Sequence, residues 1–251
     1  MDWEAIAAAA PPASFGRERF RTRVREAVPG GAISAAALAD MAQDTAARHA
    51  ASFAMGFDDA LPGGAVWVLA RLRLVLRAHP RLGDVVIVET WPAGLDRRSA
   101  RRAFRFAADR DGVIGAAVSA WSLFSLTERR PLGRIDAIFD AVPPPGPALL
   151  DFPAAPKPPA TGPVTTITPQ PADIDVFGHV NNAHLVAWVL GGLQGRVRAP
   201  FQPTELDIAF RRETRLGDAL TIHAARTEAW QVRLENGEGV DVLRARVRFD
   251  D

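Results

Sequence analysis

The chain of 251 residues lacks cysteine and tyrosine altogether and contains a single lysine, Lys157. The absence of cysteine excludes disulfide bonds, thiolate metal sites and a cysteine nucleophile, and it is compatible with a reducing compartment. Because lysine is nearly absent, arginine carries the basic charge, and its guanidinium binds carboxylates or phosphates through a planar fork. No metal site is expected, because the following histidines are scattered without metal-ligand spacing: His49, His79, His184 and His223.

Long apolar runs and an excess of charge of either sign are also lacking. No segment approaches the roughly 20 apolar residues of a membrane helix. The apolar run at residues 5–10 lacks the basic segment that a secretory signal needs. With 30 basic and 29 acidic residues the net charge is only +1, which gives the whole molecule no strong attraction for nucleic acid or membranes. We therefore predict a cytoplasmic protein with neither partner.

An internal repeat organises the chain. The tetrapeptide RLGD at residues 81–84 recurs at residues 215–218, and the register holds without a gap from residues 72–74 and 206–208 to residues 86–88 and 220–222. Nine prolines lie between the copies in residues 143–163, and proline lacks the N–H that helices and strands require. We predict an N-terminal repeat over residues 1–142, a linker over 143–163 and a C-terminal repeat over 164–251.

Each half combines one helix with several strands. The first helix is predicted over residues 33–53 with Ser34 as its N-cap, and the second over residues 181–194, where apolar residues occur almost all round. Alternating apolar residues predict strands over 65–77, 85–91, 99–107 and 113–126, and then over 205–210, 219–229, 230–234 and 240–249. The four consecutive strands of the first half predict an antiparallel meander. The fold class is therefore α+β, with a curled antiparallel sheet wrapped around a central helix in each half.

The most informative segment is DIDVFGHVNN at residues 173–182, which leads directly into an apolar helix. It combines carboxylates and an imidazole with a glycine-containing turn at a helix N-terminus. Unpaired N–H groups and the helix dipole favour a developing negative charge there. This combination predicts hydrolysis of an acyl group, with the backbone N–H groups of Val180, Asn181 and Asn182 as donors to the oxyanion.

The same segment carries a family resemblance. The pattern DxDxxxHVNN, followed by Trp188 and by FRRE at residues 210–213, resembles the second half of the acyl-[acyl-carrier-protein] thioesterases, which contain two tandem hot-dog repeats. The first half agrees through WVLARLR at 67–73, ETWPAGLD at 89–96 and SAW at 119–121. The resemblance spans residues 20–250. It implies release of free fatty acid from an acyl carrier protein, with no metal or organic cofactor, by a monomer or homodimer.

The resemblance assigns catalytic roles to Asp175, His179 and Glu213. The family has asparagine two residues before the histidine, where this chain has Phe177. A phenyl ring cannot donate or accept the hydrogen bonds that an amide side chain makes. Single hot-dog acyl-CoA thioesterases, similar to 4-hydroxybenzoyl-CoA thioesterase, rely chiefly on one aspartate at the position of Asp175. Impaired and full hydrolysis therefore both remain open. Asp175 could act as general base or as nucleophile.

The resemblance also implies an acyl-chain tunnel and a docking surface for the carrier protein, and each has an ordinary structural alternative. The first half lacks an Asp-x-x-x-His turn and has His79 opposite Glu213, so it is expected to be catalytically silent and to line the acyl tunnel. Candidate chain contacts are Met41, Phe53 and Met55, for which ordinary core packing is the alternative. An acidic carrier protein could dock on Arg97, Arg98, Arg101 and Arg102, for which solvated strand faces are the alternative.

Three functions therefore remain open. These are an acyl-carrier-protein thioesterase, an acyl-CoA thioesterase, and a non-hydrolytic acyl-binding protein whose site has decayed at Phe177. Structural roles could also account for the site residues: His179 as a turn histidine, Glu213 as a solvated strand end, and the aspartates as turn or helix caps.

Overall fold

The computed structural model describes residues 1–56, 59, 64–95, 98–133, 143–160, 162–197 and 202–250. Three α-helices lie within this part of the chain: α1 (Trp3–Ala8), α2 (Ala35–Ala51) and α3 (Asn182–Gly191). The strands of the first half are β1 (Gly16–Arg21), β2 (Ala65–Leu76), β3 (Val85–Leu95), β4 (Ala100–Ala108), β5 (Gly112–Ser125) and β6 (Arg130–Pro131). Those of the second half are β7 (Pro163–Ile167), β8 (Pro203–Phe210), β9 (Leu220–Arg226), β10 (Trp230–Asn236) and β11 (Asp241–Phe249).

Within the described residues, all the strands form one antiparallel sheet. Its order is β1-β3-β4-β5-β2-β8-β11-β10-β9-β7, and β6 pairs with β5. The predicted meander is wrong in one respect, because β2 does not pair with β3. Strand β1, which the sequence patterns do not predict, occupies that edge of β3, while β2 lies between β5 and β8. The prediction of two tandem hot-dog repeats is confirmed, since the second half repeats the strand order of the first in reverse.

The two halves meet through their equivalent strands. Strands β2 and β8 pair with Arg71 opposite Ala209, Arg73 opposite Asp207 and Val75 opposite Glu205. Arg73 and Asp207 occupy the same position in the gapless repeat, so a pseudo-twofold axis passes between them. The internal repeat in the sequence is thus a structural repeat, and the sheet is continuous across its two copies.

Helices α2 and α3 contact each other and pack on one face of the sheet, here called the inner face. Ser34 caps α2 as predicted, since its Oγ accepts a hydrogen bond from the Ala37 amide at 3.1 Å. Leu38 on α2, Val186 on α3 and Ile208 on β8 are fully buried in the common core. Removal of such a side chain to alanine typically costs about 2 to 5 kcal/mol, so these contacts fix the helices on the sheet.

The opposite, outer face is covered by α1 and by the proline-rich segment. Asp207 is fully buried between the guanidinium groups of Arg71 and Arg246, at 2.8 and 2.7 Å. Arg71 also donates to the Pro153 carbonyl at 2.9 Å and lies over the Phe152 ring. Proline lacks an N–H but keeps its carbonyl, so this segment is held by arginine donors without joining the sheet. The domain boundaries given above stay a prediction.

Across the described residues, no helix is both long enough and apolar enough to span a membrane.

Candidate active site

The loop between β7 and α3 is built around the Asp175 carboxylate. Its Oδ1 accepts hydrogen bonds from the amides of Phe177 at 2.9 Å and His179 at 3.4 Å. The Asp175 amide donates to the His179 carbonyl at 2.8 Å, which closes the loop. Gly178 has a φ of 78°, a conformation that side-chain-bearing residues adopt only with strain. The sequence VFG after the aspartate therefore forms an Asx turn that fixes the carboxylate.

The second oxygen of Asp175 is available for chemistry. Within the described residues, Oδ2 accepts no hydrogen bond, and the residue is half-buried. A carboxylate with one oxygen fixed and the other unengaged is oriented without being neutralised. Such a group can take a proton from water or attack an electrophilic carbon.

The His179 side chain contacts Glu213, the predicted glutamate, which lies outside this loop. Its Nε2 lies 3.0 Å from Oε2 of Glu213, which follows the end of β8. The Val180 amide donates to the Thr214 carbonyl at 2.8 Å, and this bond draws the segment after β8 against the loop. The Arg215 guanidinium lies 3.8 Å from the same carboxylate oxygen. The structure thus brings together residues 175, 179 and 213, although 34 residues separate the last two.

The predicted oxyanion donors are only partly free. The amides of Val180 and Asn181 donate to the carbonyls of Thr214 and Asp173, at 2.8 and 2.9 Å, so their predicted role is wrong. Neighbouring segments supply acceptors that the helix pattern alone does not reveal. The Asn181 side chain caps α3 by accepting from the Ala183 amide at 2.7 Å. Among the described residues the Asn182 amide has no acceptor, and it remains the one candidate of the three.

Phe177 lies at the exposed tip of the loop between β7 and α3. The residue is 48% exposed and its neighbour Val176 is 82% exposed, so neither contributes to the core. The ring is held at the position where the family has asparagine, while its own amide supports Asp175. The loop therefore keeps its fold without the family's amide side chain.

Two polar contacts at the start of α3 were missed from the sequence. His184 Nδ1 lies 2.8 Å from Oδ1 of Asp173, whose other oxygen caps the short 3₁₀ turn at Pro171–Asp173. Asn182 Nδ2 donates to Oε1 of Gln43 on α2 at 3.0 Å. The second contact joins the halves, and no local sequence signal could have indicated it.

The predicted acyl-chain contacts are not gathered in one place. Met41 is buried in the common core on α2. Phe53 lies edge to face on the His49 ring, with 5.1 Å between centroids. Met55 packs in a separate small cluster with Leu123 and Trp67.

The four arginines predicted to dock the carrier protein do not form one surface either. Arg97 lies outside the described residues, whereas Arg98 and Arg101 are exposed. The prediction for Arg102 is wrong, because its guanidinium turns inward to within 2.8 Å of His49 Nδ1. Arg102 lies two residues before Phe104, and alternate residues of a strand share a face.

Within the described residues, no group of three or more acidic or histidine side chains could hold a metal ion.

The double-repeat fold is that of the hot-dog proteins, and Asp175, His179 and Glu213 lie together next to the start of α3. Two family models match the chain, the acyl-ACP thioesterase N-terminal domain over residues 14–141 and the acyl-ACP thioesterase C-terminal domain over residues 157–250. The chain therefore belongs to the acyl-ACP thioesterase family.

Its similarity to named relatives is moderate. It is 27% identical over 260 residues to dodecanoyl-[acyl-carrier-protein] hydrolase of Cinnamomum camphora, covering 93% of this chain and 67% of that protein. It is 27% identical over 225 residues to the oleoyl-acyl carrier protein thioesterase of Coriandrum sativum, covering 81% and 60%. The chain thus spans about 60% to 67% of the length of these relatives, both of which are named as chloroplastic.

Solved structures show the same fold. An acyl-ACP thioesterase from Bacteroides thetaiotaomicron superposes with a TM-score of 0.82 at 24% identity, covering 94% of this chain and 98% of that one. The 12:0-ACP thioesterase from Umbellularia californica gives a TM-score of 0.78 at 23% identity, covering 96% and 99%.

Proposed function

We propose that the protein hydrolyses the thioester of fatty acyl-[acyl carrier protein] and releases the free fatty acid. Family membership supports the substrate class. The observation that carries the proposal is the loop in which Asp175 has one unengaged carboxylate oxygen and His179 is paired with Glu213 at 3.0 Å. These are the groups that hydrolysis at neutral pH requires, namely a base or nucleophile and a proton donor.

In the proposed reaction, Asp175 removes a proton from water as the water oxygen attacks the thioester carbon. The carbonyl electrons move onto its oxygen, which the Asn182 amide stabilises at the N-terminus of α3. When the carbon–sulfur bond breaks, the electron pair stays on sulfur. The proton that Asp175 took from water then passes through His179 to the sulfur, which makes the free thiol and returns both residues to their starting state. Glu213 orients the imidazole by accepting a hydrogen bond from Nε2–H. Direct attack by Asp175, through an anhydride that water then resolves, uses the same groups.

The exposed arginines beside Glu213 are the better supported docking surface for an acidic carrier protein. Arg211 and Arg212 directly precede this site residue, and within the described residues no carboxylate lies within 4 Å of either guanidinium. Arg98 and Arg101 are also exposed and remain a second candidate surface. Positive charge at the rim of a site raises the encounter rate with an acidic partner.

A second candidate function rests on Phe177. The ring replaces an amide that the family uses, and loss of one preorganised polar group typically costs about 100-fold to 1000-fold in rate. This favours a non-hydrolytic acyl-binding protein as the alternative. Acyl-CoA hydrolysis is the remaining alternative within the same chemistry.

The test follows thiol release from acyl-carrier-protein and acyl-CoA thioesters over a series of chain lengths. The proposal expects release from the carrier-protein substrates at higher kcat/KM than from the matched CoA esters. The reverse preference would assign the CoA function. Acyl binding without thiol release from any substrate would assign the binding function and contradict hydrolysis.

The proposal also includes a cytoplasmic location, no nucleic-acid partner, and a monomer or homodimer. The two halves already pair through β2 and β8, which supports the monomer. Sedimentation at several concentrations distinguishes the two states.

A further inference from the structure

A polar cluster lies within the first half, on the inner face of the sheet. Arg102 on β4 directs Nη1 to His49 Nδ1 at 2.8 Å and to Thr90 Oγ1 at 3.4 Å. His49 belongs to the last turn of α2 and is 6% exposed, and Thr90 on β3 is fully buried. The Thr90 hydroxyl donates to the Ala103 carbonyl at 2.9 Å. A half-buried arginine therefore meets a buried histidine and a buried threonine beside the apolar core.

The cluster contains more hydrogen-bond donors than acceptors. The guanidinium can only donate, so His49 Nδ1 accepts from Arg102 and the ring proton resides on Nε2. That nitrogen is buried and has no hydrogen-bond partner. Within the described residues, no carboxylate lies within 4 Å of Arg102, although the side chain remains a cation. Buried polar groups are almost always paired, so the unpartnered His49 Nε2 requires an explanation.

The protonation states of His49 and Arg102 agree with the excess of hydrogen-bond donors. Burial, and then the adjacent Arg102 cation, lower the pKa of His49 to about 4, which keeps its ring neutral at physiological pH. Burial lowers the pKa of Arg102 to about 10, which still leaves the guanidinium protonated. The cluster thus presents one uncompensated positive charge and one neutral N–H donor.

The second half shows that the fold does not need these groups. The register places Thr90 opposite Phe104 in the first half and Ala224 opposite Val232 in the second. The positions equivalent to Thr90 and Arg102 are therefore Ala224 and Trp230, and both contribute to the apolar core. A polar cluster that one repeat has and the other lacks points to a ligand of the first repeat.

We propose that this cluster binds an oxygen atom carried by the acyl chain itself, so that the protein selects chains with a hydroxyl, keto or carboxylate oxygen remote from the thioester. The inference rests on the proposed function. An oxygen acceptor would satisfy both the Arg102 guanidinium and His49 Nε2. Gln43, which contacts Asn182 at the candidate active site, precedes His49 by six residues on α2, or about 9 Å of helix rise. An extended acyl chain spans such a distance.

The test compares acyl-carrier-protein substrates that differ only in an oxygen group at the far end of the chain. For wild-type protein, the best oxygenated chain should have a kcat/KM about tenfold above the plain chain of equal length. The Arg102→Leu change should bring this ratio close to one. Arg102→Gln, which keeps an amide donor, should give an intermediate ratio, and it serves if the leucine variant does not fold. Arg48→Leu, at an exposed arginine next to His49, is the matched control and should leave the ratio unchanged.

Binding without turnover separates this inference from the proposed function. Calorimetry on the Asp175→Asn variant should give tighter binding of the free oxygenated fatty acid than of the plain acid, and Arg102→Leu should remove the difference. Such binding with no turnover of any substrate would contradict the hydrolytic function alone. Equal kcat/KM for plain and oxygenated chains at every length, or a preference that persists in both Arg102 variants, would overturn the inference.

Discussion

The loop that precedes α2 and the loop that precedes α3 share one backbone design. Each follows a 3₁₀ turn, Val24–Glu26 in the first half and Pro171–Asp173 in the second. Each contains a glycine at positive φ, 83° for Gly31 and 78° for Gly178. The Val28 amide donates to the Ala32 carbonyl at 2.9 Å, as the Asp175 amide donates to that of His179 at 2.8 Å.

The side chains at equivalent positions differ completely. Val28 stands where the second half has Asp175, and Ala32 stands where it has His179. His79 takes the place of Glu213, and its two ring nitrogens each lie 3.0 Å from a carbonyl oxygen, of Ile33 and of Pro203. The loop conformation is therefore a property of the fold, while the proposed chemistry depends on three side chains. This is why the first half is proposed to be silent although its frame is intact.

The change Asp175→Asn should have the largest effect, because it removes the main chemical difference between the two loops. The asparagine oxygen can still accept from the amides of Phe177 and His179, so the loop should keep its shape while the charge is lost. We expect kcat to fall about 1000-fold, as for loss of a general base. Thiol release measures the change, with Asp151→Asn on the exposed linker as the control. A rate within a few-fold of wild type would exclude Asp175 from the reaction.

Phe177→Asn sharpens the contrast in the opposite direction, because it restores the amide that the family has. A correctly placed amide can orient the carboxylate or polarise the thioester, and we expect kcat to rise about tenfold. Val176→Asn, at the more exposed neighbour, should bring no gain. If Phe177→Asn lowers the rate, the ring itself has a function in this loop.

Charge at the rim gives a smaller expected effect. Arg211 and Arg77 occupy equivalent positions of the repeat, and both are exposed. Arg211→Glu should raise KM for a carrier-protein substrate about fivefold at low salt, while Arg77→Glu should leave it unchanged. Neither should alter turnover of the same acyl group on free pantetheine. Equal effects of the two changes would place docking elsewhere, and the pair Arg98→Glu and Arg101→Glu tests the second surface.

The smallest effect is expected from a transplant of the site. Val28→Asp, Ala32→His and His79→Glu, combined in the Asp175→Asn background, should restore no measurable turnover. The residue equivalent to Asn182 is Ala35, which is fully buried, so its amide cannot reach a thioester oxygen. Thiol release is again the assay. Recovered activity would show that the backbone frame and three side chains suffice.

Much of the fold could be predicted from local patterns. The long strands β2 to β5 alternate clearly, and Ser34 has the sequence context of an N-cap. Strand β1 was missed because GRERFR is mostly charged and lies at the edge of the sheet, and β7 because it directly follows the proline-rich segment. The strand order could not follow from local signals, since the place of β2 depends on its pairing with β8.

The identity of the proposed catalytic residues could be predicted, but the hydrogen bonds around them could not. Asp175, His179 and Glu213 came from a family resemblance, because no local pattern connects residue 213 with a loop 34 residues earlier. The acceptors that occupy the amides of Val180 and Asn181 come from other segments, so the sequence could not reveal them. The inward direction of Arg102 was available from the alternation with Phe104 and Phe106, and that signal was missed.

The pairing of β2 with β8 has a consequence for assembly. On the outer face, β2 presents Arg71 and Arg73, whereas β8 presents Glu205 and Asp207. If either half joined a second copy of itself along this edge, guanidinium would face guanidinium or carboxylate would face carboxylate, and like charges opposite each other destabilise a strand pair. The charges on β2 and β8 are therefore complementary to each other and not to themselves, so this edge favours pairing between the two different halves over pairing between two copies of the same half.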